Sequence, residues 1–242
     1  MKITTIIKRL VFLVMTVCIC AGFVVIGKGY TVYRDAMETM SLEEKVASIQ
    51  NKENFTEYEE LPEVYVNAVV SVEDKRFYRH IGIDPIAICR ALINDIKAGA
   101  YVEGGSTITQ QLAKNMYFSQ EKELTRKVAE VFVAFDLERN YSKEEIFELY
   151  VNTIYFGDGY YEVASASEGY FGKAPEEMTE YESTLLAGIP NAPSRYAPTK
   201  NPDLAAERQL RVLRRMEACG YFSAEEAETV AETAAAQLAM VP

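Results

Sequence analysis

From Leu10 to Gly27 the chain carries no charged residue, and a helix over that run spans about 27 Å, close to the thickness of a bilayer hydrocarbon core. Lys2, Lys8 and Arg9 precede it with no acid among them, which keeps residues 1–9 on the cytoplasmic side. A cleaved signal peptide is the competing reading. Ala21-Gly22-Phe23 is a poor small-x-small site, however, and apolar residues continue to Ile26, so the run reads as an uncleaved transmembrane signal anchor over 10–27. Everything after it then lies outside the cytoplasm. Residues 28–56 are polar and charged without a clean period and read as a stalk.

From Leu61 onward the pattern is helix after helix. Pro62 suits a first helical turn before Val64 to Val72. Asp84-Pro85 is an N-cap followed by proline, Ile86, Cys89, Leu92, Ile93 and Ile96 recur on one apolar face, and Gly99 closes that helix. Capping boxes of Ser/Thr-x-x-Glu form stand at Ser142/Glu145, Thr179/Glu182 and Ser223/Glu226. Asn201-Pro202 opens a further helix that ends near Gly220. Strand-like alternation is scarce and hairpin signals are absent, so 57–242 is expected to be one mostly α domain. Lys97 to Gly105, with three glycines, reads as its most mobile loop.

Composition narrows the chemistry. The 242 residues are 49% hydrophobic, enough for one domain with a sizeable core. Net charge is −11 overall, and the first 27 residues carry three cations and no acid, which leaves −14 on the remainder. Nucleic acid is therefore excluded as a partner, and any anion site must be a local basic cluster. The single histidine, His80, removes two-His zinc signatures, and no metal ligand set is expected. Cys18 and Cys20 fall in the apolar run and act as small hydrophobes. Cys89 and Cys219 either pair or stay as buried free thiols, the second being the preferred reading.

Two stretches carry most of the candidate chemistry. In Val72-Glu73-Asp74-Lys75-Arg76-Phe77-Tyr78-Arg79-His80 a carboxylate pair follows an apolar helix beside aromatic residues. Alone it reads as a solvated helix end; held against apolar walls, such a carboxylate has a raised pKa and serves as a base. In Gly104-Gly105-Ser106-Thr107-Ile108-Thr109-Gln110-Gln111-Leu112-Ala113-Lys114-Asn115, glycines let the backbone approach a ligand. Ser106 or Thr107 can cap a helix whose N-terminal N–H groups attract anions, and Gln110 and Lys114 share a face. An ordinary capped helix is the plain alternative. Downstream, Arg126 and Lys127 lie four and three residues before Glu130, within reach of its carboxylate. A surface ion pair would be worth little, but Lys114, Lys122, Arg126 and Lys127 concentrate positive charge in an acidic domain.

In order, Glu73 to Phe77 with His80-Ile81-Gly82, Gly104 to Asn115, Arg126-Lys127-x-x-Glu130, Ser142 to Asn152 with Tyr155-Phe156-Gly157, and Tyr170-Phe171-Gly172-Lys173 with Leu185 to Ser194 resemble the five motifs of the family 51 glycosyltransferases. These are the peptidoglycan glycosyltransferases that polymerise lipid II, and the resemblance covers residues 60 to 235. Two departures stand out. Many relatives have Tyr-Gly at Tyr161-Glu162, which alters a loop, and many have lysine at Asn191, which removes a phosphate contact. Ser119-x-x-Lys122 matches the letters of a penicillin-binding motif, but no Lys-Thr-Gly follows and the match is accidental. With the chain ending at Pro242 there is no room for a transpeptidase domain, so a monofunctional enzyme is expected.

The resemblance implies a lysozyme-like helical head with a small membrane-proximal jaw lobe after one transmembrane helix. It implies Glu73 as general base and Glu130 as the second catalytic carboxylate, holding the cationic cluster or a divalent ion, Mg or Mn, with no cofactor obligatory. Asp74, His80, Ser106, Thr107, Gln110, Gln111, Lys114, Asn115, Lys122, Arg126 and Lys127 are the implied substrate-binding residues, with His80 orienting the first motif. The implied partners are lipid II, the growing glycan on polyprenyl pyrophosphate, the bacterial cell membrane, and separate transpeptidases or division and elongation proteins. Two other functions compete: a lysozyme-like glycan hydrolase, and a non-catalytic membrane-anchored cell-wall module. Met116-Tyr117-Phe118 is expected to dip into the outer leaflet.

Overall fold

The computed structural model describes residues 3–100, 104–119 and 123–238. Among them the fold is helical throughout, with α1 (Ile3–Thr39), α2 (Leu42–Gln50), α3 (Glu63–Glu73), α4 (Pro85–Ala98), α5 (Ile108–Tyr117), α6 (Leu124–Asn140) and α7 (Lys143–Val151) followed by α8 (Val163–Phe171), α9 (Glu180–Gly188), α10 (Pro193–Tyr196), α11 (Pro202–Cys219) and α12 (Ala224–Leu238). The only β pairing there is an isolated bridge between Gly157 and Tyr160. The mostly α expectation holds.

Local chemistry sets most helix starts. Ser142, Thr179 and Ser223 accept from the N3 amides of Glu145, Glu182 and Glu226, whose carboxylates return the bond, as their spacing requires. Asp84 caps α4 through the Ala87 amide, and Gly99 ends it in the left-handed conformation.

The core divides into two packed groups. In one, α3 lies against α9 and α11; in the other, α5 lies against α6 and α7. Tyr65, Phe77, Ile108, Leu112, Leu137, Phe147, Tyr150 and Phe156 are fully enclosed between them. The C-terminus of α3 and the N-terminus of α5 meet where the groups join.

The segment read as a stalk, 28–56, is helical over most of its length. Helix α1 continues past the apolar run to Thr39 and packs along α6. Tyr30 and Tyr33 stack with Phe132 at 5.3 and 5.5 Å, and the Tyr33 hydroxyl donates to Asp136 at 2.5 Å. Val46 and Ile49 of α2 are buried. These apolar positions are spread among charges, which hid their period.

Two further expectations, a buried Cys89 thiol and a lipid-dipping Met116 triplet, are corrected. The apolar face of α4 is not a core face: Ile86, Leu92, Ile93 and Ile96 are exposed, Ile96 by 79%, and only Ala91 is buried. Cys89 is accordingly an exposed free thiol, and Cys219 is free and half-buried. Met116, by contrast, is buried, while Tyr117 and Phe118 pack on the core. Periodicity shows that a helix has an apolar side, not what covers it.

Candidate active site

Glu73 is the last residue of α3, where the backbone turns away and the side chain faces a cleft of about 610 Å³. The cleft walls include Glu73, Ser106, Gln111 and Lys114 on one side and Asn191, Arg208, Arg211, Arg214 and Arg215 on the other. The Glu73 carboxylate is fixed from both. Gln111 Nε2 donates to Oε2 at 3.0 Å, and Arg208 donates to Oε1 at 3.5 Å. Gln111 is itself oriented, because the buried Tyr150 hydroxyl donates to its Oε1 at 3.4 Å. The neighbours of Glu73 are thus polar and cationic, not the apolar walls anticipated.

Asp74 faces inward instead. It is 6% exposed, and its Oδ2 accepts both His80 Nε2 at 2.8 Å and the Ile108 amide at 3.1 Å. Since His80 Nδ1 accepts the Gly82 amide at 3.2 Å, its proton sits on Nε2 and the ring donates to Asp74 in the neutral tautomer. The pair therefore pins the loop after α3 onto the start of α5. Arg76 pairs with Asp84, joining the same loop to α4.

Several residues of the glycine-led segment maintain the fold. Thr107 accepts the Gln110 amide and donates to Gly82 O at 2.7 Å, while Gln110 Oε1 accepts the Thr107 amide at 3.1 Å. Gln110 is thereby committed to the cap and buried, and the Thr107 proton is engaged although the residue lines the cleft. Asn115 is half-buried and outside the cleft lining. Gly105 meets α4: a Cβ there would stand 3.2 Å from Ile88 Cα. Of the segment, Gly104, Ser106, Gln111 and Lys114 face the cleft in ways that leave polar atoms for a ligand.

The cationic cluster assembles as the helical spacing requires. Glu130 is 1% exposed and receives Arg126 on Oε1 and Lys127 on Oε2, the latter at 2.8 Å. Lys127 also donates to Ser106 Oγ at 2.8 Å. Burial, then the nearby Arg126 and Lys114, bring its pKa down to about 8. Lys114 is lowered too, by burial first and Arg126 second, with Glu73 opposing. Lys122 lies outside the described residues.

With both oxygens of Glu130 held by cations and no group of three or more His, Cys, Asp or Glu clustered among the described residues, the donor set does not fit a divalent ion. Glu162, one of the two departures, pairs with Lys52 at 2.7 Å and ties the loop after α2 to α8. Asn191, the other, lines the cleft. The residues that sequence reasoning passed over are Arg208, Arg211, Arg214 and Arg215. Their signal was present: four arginines within 208–215 in an acidic chain.

Comparison with known proteins gives the family of the chain. The transglycosylase family model matches residues 41–217. Penicillin-binding protein 1F of Bacillus subtilis is 47% identical over 188 residues, covering 77% of this chain and 26% of that protein. Penicillin-binding protein 1A of Aquifex aeolicus is 45% identical over 177 residues, covering 73% and 24%. The chain thus spans about a quarter of the length of the curated relatives it matches. A crystal structure of penicillin-binding protein 1A from Haemophilus influenzae aligns with TM-score 0.35 at 30% identity, over 51% of this chain and 15% of that one. By the extent of the family match and the identity to these relatives, the chain belongs to the transglycosylase family and carries a family 51 glycosyltransferase domain.

Proposed function

We propose that the protein polymerises lipid II into β-1,4-linked glycan strands, with the growing glycan on polyprenyl pyrophosphate as donor and lipid II as acceptor. The observation that carries this reading is a carboxylate held between an amide and an arginine, in one cleft with a lysine whose neighbours are further cations. Glu73 takes the proton of the acceptor 4-hydroxyl as that oxygen attacks the donor anomeric carbon. The glycosidic C–O bond to pyrophosphate breaks, and the leaving group departs with the electron pair. Attack opposite an α-linked leaving group gives the β bond, which needs one base and no covalent intermediate.

Lys114, Arg126 and Lys127 stabilise the charge growing on the departing pyrophosphate. Glu130 aligns two of them; Asp74 and His80 position Glu73 and α5. A glycan hydrolase would release no pyrophosphate, so the cations disfavour that alternative.

On this reading the chemistry takes place at a membrane, and helix α1 supports it. Ile7–Thr39 is long and apolar enough to cross one, with mean hydropathy 2.8 over its most apolar window. Lys8 and Arg9, just before the uncharged run 10–27, favour a cytoplasmic N-terminus. The exposed isoleucines of α4, not the Met116 triplet, are then the surface that meets lipid.

Purified protein incubated with lipid II is expected to yield polymer by gel analysis. Glu73→Gln should lose ~10²–10⁴-fold in rate while keeping its fold. Near-normal turnover by that folded variant would overturn the assignment of the base.

A further inference from the structure

The α11 arginines form a second cationic wall that the general-base chemistry leaves unused. No acid lies between Glu207 and Glu217, although the chain as a whole is strongly acidic. Arg208, Arg211 and Arg215 recur at i, i+3 and i+7 and share one face of the helix, and with Arg214 they line the cleft. Like charges four apart on a helix repel, and Arg211 and Arg215 both oppose the charge on Arg208. Among the described residues Arg211, Arg214 and Arg215 have no carboxylate at ion-pair distance. A solvated charged face normally mixes signs; this one does not.

Two further observations point to a ligand. Ser71 Oγ, on α3 at the cleft, is buried without a hydrogen-bond partner among the described residues. Arg208, only 11% open along its side chain, bridges the wall to the reacting carboxylate and is anchored by donating to Gly188 O at 3.2 Å. The wall therefore starts at the base. From Arg208 to Arg215 the helix rises about 10 Å, a span comparable to the disaccharide that separates the acceptor hydroxyl from its own pyrophosphate.

We propose that the arginine row of α11 binds the pyrophosphate the acceptor retains through the reaction, with Arg208 also positioning Glu73. This rests on the polymerase reading and adds a division of labour. The α5–α6 cluster takes the diphosphate that leaves, and the α11 row takes the one that stays.

The test uses the full chain in neutral detergent micelles, with a lipid-linked glycan donor held saturating and lipid II varied as acceptor. The double variant Arg211→Gln/Arg215→Gln should raise the acceptor KM roughly tenfold, with kcat nearly kept, as expected for lost charge-assisted contacts. Lysine at both positions should recover most of the loss, and the exposed Arg139→Gln should behave as wild type. An unchanged acceptor KM in the folded double variant would overturn the proposal, as would an equal rise in donor KM, which signals charge attraction without a site. In a second arm, flotation with phosphatidylglycerol vesicles should be unaltered; a flotation loss with normal acceptor KM would assign the row to lipid headgroups and also overturn it. Wild-type protein that never polymerises lipid II would overturn the function itself. Polymerising protein with an indifferent double variant would remove only the acceptor site.

Discussion

On the α5–α6 side of the cleft, Arg126 and Lys127 close on the buried Glu130, and Lys127 also reaches Ser106; on the α11 side, Arg211, Arg214 and Arg215 have no carboxylate partner among the described residues. The first wall carries its own counter-ion and is organised before any ligand arrives. A leaving group gains negative charge only as its bond breaks, so a rigid, pre-aligned cluster suits it, because no reorganisation is needed at that moment. A diphosphate that merely has to be held arrives fully charged. It can itself act as the missing counter-ion, and the repulsion among unpaired arginines is relieved when it binds.

Removing a cation from each wall should therefore change different kinetic constants. Arg126→Ala and Lys114→Ala are expected to lower kcat ~10²–10³-fold by loss of transition-state stabilisation, whereas Lys97→Ala should leave initial rates unchanged. Equal effects from all three would erase the distinction between a site and general charge. Counter-ion removal should separate the walls in stability. Glu130→Gln removes the negative charge and one of the two acceptor oxygens that Arg126 and Lys127 share, at a cost of about 1–3 kcal/mol in urea unfolding. Arg215→Gln should stay within about 0.5 kcal/mol of wild type.

pH offers a smaller but more specific contrast. Lys127 titrates near 8 in the folded free enzyme, so kcat/KM should decline above that pH as the cluster loses a charge. The alkaline limb should move upward in Lys127→Arg. Because folding lowers this pKa, the unfolded chain binds more protons between about 8 and the ordinary lysine value, and this group's contribution to stability rises with pH across that window. Activity and stability should thus move in opposite directions. The smallest effect concerns lipid contact. Ile86→Ser with Ile93→Ser should reduce liposome flotation without lowering Tm, whereas Met116→Ser should lower Tm by a core-cavity cost and leave flotation alone. The reverse pattern would restore the original assignment of the membrane-facing residues.

What the sequence showed were features written within a few residues of each other. The capping boxes, the proline and glycine at the two ends of α4, and the Arg126–Lys127–Glu130 triangle follow from spacing along one helix. Partners from distant segments were not legible. That Gln110 closes its own cap while Gln111 reaches Glu73 depends on how α5 is rotated against α3. That Arg208 touches a residue 135 positions earlier depends on α11 packing against α3. The exposed face of α4 escaped for a related reason, since apolar periodicity is identical whether protein or lipid covers it.

The continuity of α1 has a geometric consequence. A flexible tether would let the catalytic domain sample many heights and orientations, but here the helix that carries the apolar run also docks on α6, the helix that bears the cations. Each residue of α1 adds about 1.5 Å and 100°, so on the proposed membrane topology its length and phase would set both the altitude of the cleft and the direction in which it opens relative to the bilayer plane. Inserting a single residue after Gly27 would turn the domain by about a quarter of a circle while barely lifting it. On the proposed function, α1 would act as a fixed gantry under which lipid-borne substrates arrive by diffusing in two dimensions.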